Sequence, residues 1–199
     1  MQRPLKLLIA GLVVIAVVAV WFIFRPGTET VVMNLVTDLP AAKERRPAPE
    51  VFSVVTATLD GEERQAILIK DPAAPQLGLA GSRVRWELTV PENAWLGFSL
   101  GVMPEGWTVP GDGVLFRIGV SDMSPDGYDE VLSITVNPYA NSTDRRWQHL
   151  TVDLSPYAGQ RVELILNTNS SPPAAPGAPP RDDRQGDLAL WGAPRIFVR

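Results

Sequence analysis

The sequence predicts an all-β protein: an antiparallel β-sandwich of about eight or nine strands, preceded by one transmembrane helix and a linker. Three observations carry that expectation. Apolar residues recur at every second position in run after run from Val51 onward, the period of a half-buried strand. Turn residues, Asp60-Gly61 foremost, separate the runs at short and near-regular spacing. No comparably long helical period follows residue 50. Strands without intervening helices favour a sandwich over βαβ units, with a meander or a barrel as the all-β alternatives.

Residues 7–24, LLIAGLVVIAVVAVWFIF, form an uncharged apolar run flanked by Arg3, Lys6 and Arg25. As a helix the run spans about 27 Å, close to the hydrocarbon thickness of a bilayer. Residues 1–25 are therefore expected to be a membrane anchor, an uncleaved signal-anchor. A cleaved signal peptide is the competing reading, but the run exceeds the usual ~7–15 apolar residues and no small-x-small site follows it. Trp21 and Phe22 suit an interfacial belt instead. The short basic amino terminus then stays in the cytoplasm, and residues 26–199 lie outside it at the cell membrane. That part carries 15 basic and 22 acidic residues, a formal charge of −7, which disfavours nucleic acid as a partner. The chain has no cysteines, which excludes a disulfide framework, a thiolate nucleophile and Cys-ligated zinc.

Residues 26–50 open with RPGTET and close with KERRPAPE, a linker composition. Between these ends Val32, Leu35, Val36 and Leu39 stand at helical spacing, which predicts a short helix limited by Pro40. The sandwich is expected over residues 51–199. VFSVVTATL and ERQAILIK flank Asp60-Gly61, the strongest short hairpin signal. RVRWELTV sets Val84, Trp86, Leu88 and Val90 on one face, and WLGFSLGV does the same with Leu96, Phe98, Leu100 and Val102. GVLFRIGV buries Val114, Phe116, Ile118 and Val120, while DEVLSITV offers Glu130, Leu132, Ile134 and Val136, with Glu130 at the strand edge. In WQHLTVDL, Leu150, Val152 and Leu154 oppose His149, Thr151 and Asp153, so the only histidine falls on a solvent face. SPYAGQ supplies turn residues, with Gly159 free to take positive φ, and RVELILN sends Val162, Leu164 and Leu166 inward. SPPAAPGAPPRDDRQG is too proline-rich for a strand or a helix and reads as an exposed loop. DLALWGAPRIFVR closes the domain as a strand made irregular by Gly-Ala-Pro.

Residues 147–164 carry W-x-x-x-x-V-D-L-S-x-Y-A-G-x-x-V-x-L, and residues 187–196 carry D-x-A-x-W-G-x-P-R-I. These patterns resemble the terminal strands of galactose-binding-like jelly-roll domains. Upstream, SRVRWELTVPENAWLGFSLG and GDGVLFRIGVSD resemble ectodomains of bacterial membrane-bound sulfatase-like or glycosyltransferase-like proteins. Together the resemblance covers roughly residues 50–199 and implies a jelly-roll β-sandwich. Its motifs concern packing, and no catalytic domain is attached, so no enzymatic role carries over.

The residue inventory gives chemistry little support. A Ser-His-Asp arrangement would have to use His149, and no G-x-S-x-G elbow is present. Oxygen ligands make calcium the only metal to consider, from Asp112, Asp122, Asp126 and Asp129, but the loop motif is missing and these residues suit turns. Carboxylates for glycoside hydrolysis could come from Glu62, Glu63, Glu87, Glu130 or Glu163, with no pair singled out by spacing. No catalytic residue and no cofactor is therefore expected, although the jelly-roll resemblance leaves room for a structural calcium held by loop carbonyls. Gly97, Ser99 and Gly101 alternate on one strand, Leu115, Arg117 and Gly119 on the next, and Val131, Ser133 and Thr135 on a third. Arg85, Glu87 and Thr89 stand alongside. An open surface of this kind would be a carbohydrate platform, with Arg85, Glu87 and Arg117 bonding hydroxyls and Trp95 or Trp107 stacking at the rim. The competing expectation is that the amino-terminal helix or the proline-rich loop covers it. Function is thus expected to be non-catalytic: a membrane-anchored glycan-binding module or a tethered scaffold for an envelope protein.

Overall fold

The computed structural model describes residues 28–70, 81–124, 127–170 and 186–199. The apolar run 7–24 and the proline-rich loop 171–185 lie outside these residues, and with them the expected membrane helix and exposed loop. Among the described residues no helix is long and apolar enough to cross a membrane.

Eleven strands are described: β1 (Thr30–Asn34), β2 (Glu44–Arg46), β3 (Phe52–Leu59), β4 (Glu62–Ile69), β5 (Ser82–Thr89), β6 (Ala94–Val102), β7 (Val114–Ser121), β8 (Tyr128–Val136), β9 (Gln148–Asp153), β10 (Arg161–Asn169) and β11 (Ala189–Val198). They form two antiparallel sheets. One has six strands in the order β3-β4-β11-β6-β9, with β1 added to β11; the other has five in the order β2-β5-β10-β7-β8. The strands expected from residue 51 onward, about eight or nine, are present as the nine strands β3 to β11. The other two come from residues 30–46, which were expected to be a linker with a short helix.

That correction has a local cause. Val31 and Val32 are extended and exposed in β1, which pairs with β11 from Thr30↔Val198 to Asn34↔Arg195. Asn34 then turns the chain: its Oδ1 accepts from the Val36 amide at 3.0 Å, and its carbonyl accepts from the Asp38 amide at 2.9 Å. The helical spacing of Leu35, Val36 and Leu39 reports this one turn, whose three apolar side chains plug the core. Pro40 and a short 3-10 turn at Leu39–Ala41 end it, and β2 pairs with β5.

The main core lies between the sheets and holds the alternating residues read from the sequence, among them Val84, Trp86, Leu96, Phe98, Phe116, Ile118, Leu164 and Leu166. Trp191 sits at its centre, edge-on to Phe116 at 5.2 Å, with its indole N–H donated to Thr168 Oγ1 at 2.9 Å. Asp60 and Gly61 both take positive φ, the two-residue turn that closes β3 onto β4. The Gly-Ala-Pro irregularity is a bulge in β11 between Gly192 and Arg195, with Ala193 at φ 43°. One inward assignment fails: a register shift between Ile118 and Gly119 places Glu130 opposite Gly119, on the outer face.

A second, smaller cluster lies on the outer face of the six-stranded sheet. Ala57, Leu59, Ala66, Leu68 and Leu190 are buried there beneath Trp147. The indole donates to the Glu62 carbonyl at 2.9 Å. Gly101 and Gly192 leave room for the ring: a Cβ on Gly192 would lie 2.7 Å from Trp147 Cζ3.

Candidate functional site

Arg85, Glu87 and Arg117 share the outer face of the five-stranded sheet, as expected. Their charges are already paired. Lys43 Nζ lies 3.0 Å from Glu87 and 2.8 Å from Glu163. Arg85 Nη1 donates to Glu163 at 2.7 Å, and its Nε lies 2.6 Å from Glu44 but off the hydrogen-bonding direction. Arg161 also reaches Glu87, and Arg83 donates to Glu44 at 2.9 Å. Arg117 Nη2 donates to Asn169 at 3.1 Å and Asn167 at 3.3 Å, with Glu130 at 3.5 Å from Nη1. The bond from Lys43, with help from Arg161, holds the Glu87 carboxyl below its ordinary range, and Glu163 with Glu87 holds the Lys43 ammonium above its own. Glu87 and Glu163 stand directly opposite in register. A hydrolase acid needs a raised pKa, so the depressed value of Glu87 is the reverse of what that chemistry requires.

The aromatic on this face is one that sequence reasoning missed. Tyr128 lies across Gly119, where a Cβ would come 2.4 Å from its ring, and it is 50% exposed. Burial of part of the ring and the nearby Glu130 raise its hydroxyl above the usual range.

Trp95 and Trp107 are elsewhere. Trp95 is on β6, in the six-stranded sheet, opposite Phe197 and Asp153. Trp107 follows the far end of β6 and donates its indole N–H to the Val102 carbonyl at 2.8 Å. Residues 95 and 102 are roughly 23 Å apart at ~3.3 Å per residue, so the two tryptophans cannot rim one platform. The expected continuous surface is split for the same reason. The chain crosses between sheets from β5 to β6 and again from β6 to β7, which puts Gly97, Ser99 and Gly101 in a different sheet from Arg117. Their face is covered: Gly97 by Phe197, Ser99 by His149, and Gly101 by Leu59 and Trp147.

His149 is on the outer face of β9, with Nδ1 2.9 Å from Ser99 Oγ and Nε2 3.1 Å from Glu62. The three residue types are those of a hydrolase triad. However, Ser99 is 1% exposed and lies under the imidazole, so its oxygen is not presented to a substrate. Asp122 Oδ1 accepts from the Ser124 amide and hydroxyl, which lowers its pKa, and Asp129 accepts from Tyr157 at 3.0 Å. Asp126 lies outside the described residues. Among those described, no three His, Cys, Asp or Glu side chains converge as metal ligands.

Among the described residues, open surface depressions lie at one end of the sandwich, beside Trp147. Two depressions of about 430 and 360 Å³ share Asp60 and Arg146. The larger continues past Gln148 to Glu62 and His149; the smaller runs to Trp107, Thr143 and Arg145. Each wall has a reason to be rigid. The β3–β4 turn presents Asp60, and Asn141 caps the short 3-10 turn Ser142–Asp144 by accepting from the Thr143 amide at 3.2 Å. Arg145 Nε donates to the Pro138 carbonyl at 2.9 Å, and Gln148 Nε2 to the Thr143 carbonyl at 3.1 Å. Among the described residues, Asp60 and Arg146 make no side-chain hydrogen bond or ion pair. The groove therefore offers a carboxylate acceptor, guanidinium donors and an anchored indole. Of the five residues expected to bind, only Trp107 lines it.

No family model matches the chain. A protein of Archaeoglobus fulgidus, described as uncharacterized, is 39% identical over 112 residues, a match that covers 55% of this chain and 25% of that protein. The matched part thus spans about a quarter of the relative's length. Among solved structures, CBM51 from Clostridium perfringens GH95, in complex with methyl-galactose, is 13% identical with a TM-score of 0.48, covering 86% of this chain and 100% of that one. TmCBM61, in complex with β-1,4-galactotriose, is 11% identical with a TM-score of 0.47, covering 90% and 94%. The carbohydrate-binding module CBM6cm-2 from Cellvibrio mixtus lichenase 5A, in complex with cellotriose, is 10% identical with a TM-score of 0.42, covering 85% and 99%.

Proposed function

We propose that this protein is a non-catalytic glycan-binding module, held at a membrane by residues 1–25 and binding through the groove at the Trp147 end of the sandwich. The observation that carries this reading is the pair of polar groups without a side-chain hydrogen bond or ion pair among the described residues, Asp60 and Arg146, beside the anchored indole of Trp107. Sugar hydroxyls both donate and accept, so a carboxylate and a guanidinium free of protein partners suit them, and an indole supplies an apolar surface for a pyranose face. The charged face of the five-stranded sheet is a poorer candidate, because a ligand there would have to break existing ion pairs. Glycan-array screening and titration calorimetry test the reading. Trp107→Ala and Asp60→Asn are each expected to weaken binding at least about tenfold, as losses of a stacking surface or a charged hydrogen bond do. Trp95→Ala is expected to change nothing. Unaltered affinity in Trp107→Ala would move the site elsewhere.

One observation favours a second reading, a tethered scaffold for an envelope protein. Val31, Val32 and Val54, on strands β1 and β3 of the six-stranded sheet, are each about half exposed at 51%, 48% and 48%. Crosslinking from Val32 in membranes, with recovery of one reproducible partner, would support that reading over the first.

A further inference from the structure

We infer that the smaller half of the groove recognises a sugar unit bearing a single carboxylate, such as a uronic acid, which narrows the glycan-binding reading above and rests on it. The charges along the groove are not evenly placed. At the larger end both Glu62 oxygens are engaged, Oε1 by Arg64 and Oε2 by His149 at 3.1 Å. At the smaller end Arg145 and Arg146 stand with Asp60 as the only carboxylate in the lining. Arg145 is held through Nε by the Pro138 carbonyl, which leaves its two terminal nitrogens facing no recorded partner, and Arg146 has none at all among the described residues. A guanidinium fixed at Nε is a planar fork with both outer donors free, the geometry that pairs with a carboxylate through two parallel bonds. Trp107, Ser142 and Thr143 complete the lining beside it, so the ring that carries the carboxylate has an indole at hand.

The rest of the molecule sets an upper limit on the charge. With 15 basic and 22 acidic residues beyond residue 25, the body is acidic, and its field opposes a heavily charged polyanion at distances up to a Debye length. A short-range clamp within a repelling field selects a ligand with one anionic group near the groove.

The test compares an oligosaccharide carrying a single galacturonic acid unit with its carboxyl-reduced neutral counterpart, titrated against the full chain in detergent and against Arg146→Gln and Arg145→Gln. Arg146→Gln removes no hydrogen bond or ion pair among the described residues, so it keeps the test readable if Arg145→Gln fails to fold. The acidic oligosaccharide is expected to bind at least about tenfold more tightly than the neutral one, charge-assisted bonds being roughly twice as strong as neutral ones. Arg146→Gln should bring that ratio close to one. Equal affinity of the wild type for both oligosaccharides overturns the carboxylate inference and leaves the glycan-binding reading standing. So does a preference that survives in Arg146→Gln. A wild type that binds neither these nor any glycan on an array removes the reading itself.

Discussion

The two outer faces of the sandwich solve the same problem with different materials. The six-stranded sheet covers Gly97 and Gly101 of β6 with buried Phe197, Leu59 and Trp147, whereas the five-stranded sheet lays a half-exposed Tyr128 over Gly119 of β7 and fills the rest of that face with paired charges. Apolar cover excludes water and cannot move without opening a cavity. Charged cover is anchored at its heads and stays partly wet, so it can shift at small cost. The larger depression lies at the end of the apolar cover, where the turn at Asp60 and the side chain of Arg146 border buried Trp147.

The largest way to break this contrast is Trp147→Ala. It uncovers Gly101 and Gly192, removes the indole's bond to the Glu62 carbonyl and should destabilise the domain by about 3–5 kcal/mol in denaturant titration. A loss under about 1 kcal/mol would mean that the second cluster is a surface feature and no core. Matched glycine substitutions sharpen the point, because a Cβ at Gly101 or at Gly119 comes to the same 2.4 Å from its neighbour. At Gly101 the neighbour is Leu59, 1% exposed, and Gly101→Ala is expected to cost about 1–3 kcal/mol by overpacking. Breaking one charge on the other face, Glu163→Gln, leaves Lys43 and Arg85 short of a partner. Since those cations are partly solvated, about 1–2 kcal/mol is expected, below the cost for a fully buried pair. Gly119→Ala then follows, with Tyr128 swinging into solvent at a cost under about 1 kcal/mol.

The smallest effect concerns pH. Glu44 and Glu87 have folded pKa values below their ordinary 4.5, Glu44 because Arg83, Arg85 and Arg46 outweigh its burial. Their contribution is present above pH 4.5 and is lost as pH falls through the depressed values. Lys43 is raised above 10.5, so its contribution is present below pH 10.5 and is lost as pH rises through the raised value. Thermal melts of Lys43→Gln should therefore show a flatter profile than wild type at both extremes and a weaker dependence on salt.

Much of the fold was legible because a two-residue period states which side of a strand is buried. It does not state which strand lies beside which. Gly97 and Arg117 were both read correctly as outward residues, and they were placed on one surface only because their strands are consecutive in the chain; in the sandwich those strands belong to opposite sheets. The plug at Leu35, Val36 and Leu39 was misread as a helix because one turn gives the same spacing as several. Arg85, Glu87 and Arg117 did converge, but pairing is a property of neighbours far along the chain, Lys43 and Glu163 among them, which no local pattern shows. Asp60, Arg145 and Arg146 sit in loops without a period. Their only signals were the Asp-Gly turn and the adjacency of two arginines to a tryptophan.

The attachment of β1 has a mechanical consequence. Bulged β11 is flanked on one side by two strands in succession, β4 along Ala189–Gly192 and β1 along Arg195–Val198. A pull applied through the chain before residue 30 loads the outer end of β1 first and can peel it like a zip, one rung at a time, passing exposed Val31 and Val32 before it reaches partly buried Met33. Beyond Asn34 the load meets Leu35, tied to the Pro194 carbonyl at 2.9 Å, and then Val36 and Leu39 inside the core. The strand acts as a short strain relief and the plug as the knot behind it, so tension on the leading segment can lengthen the chain by a few residues before it threatens the groove at the other end of the same sheet.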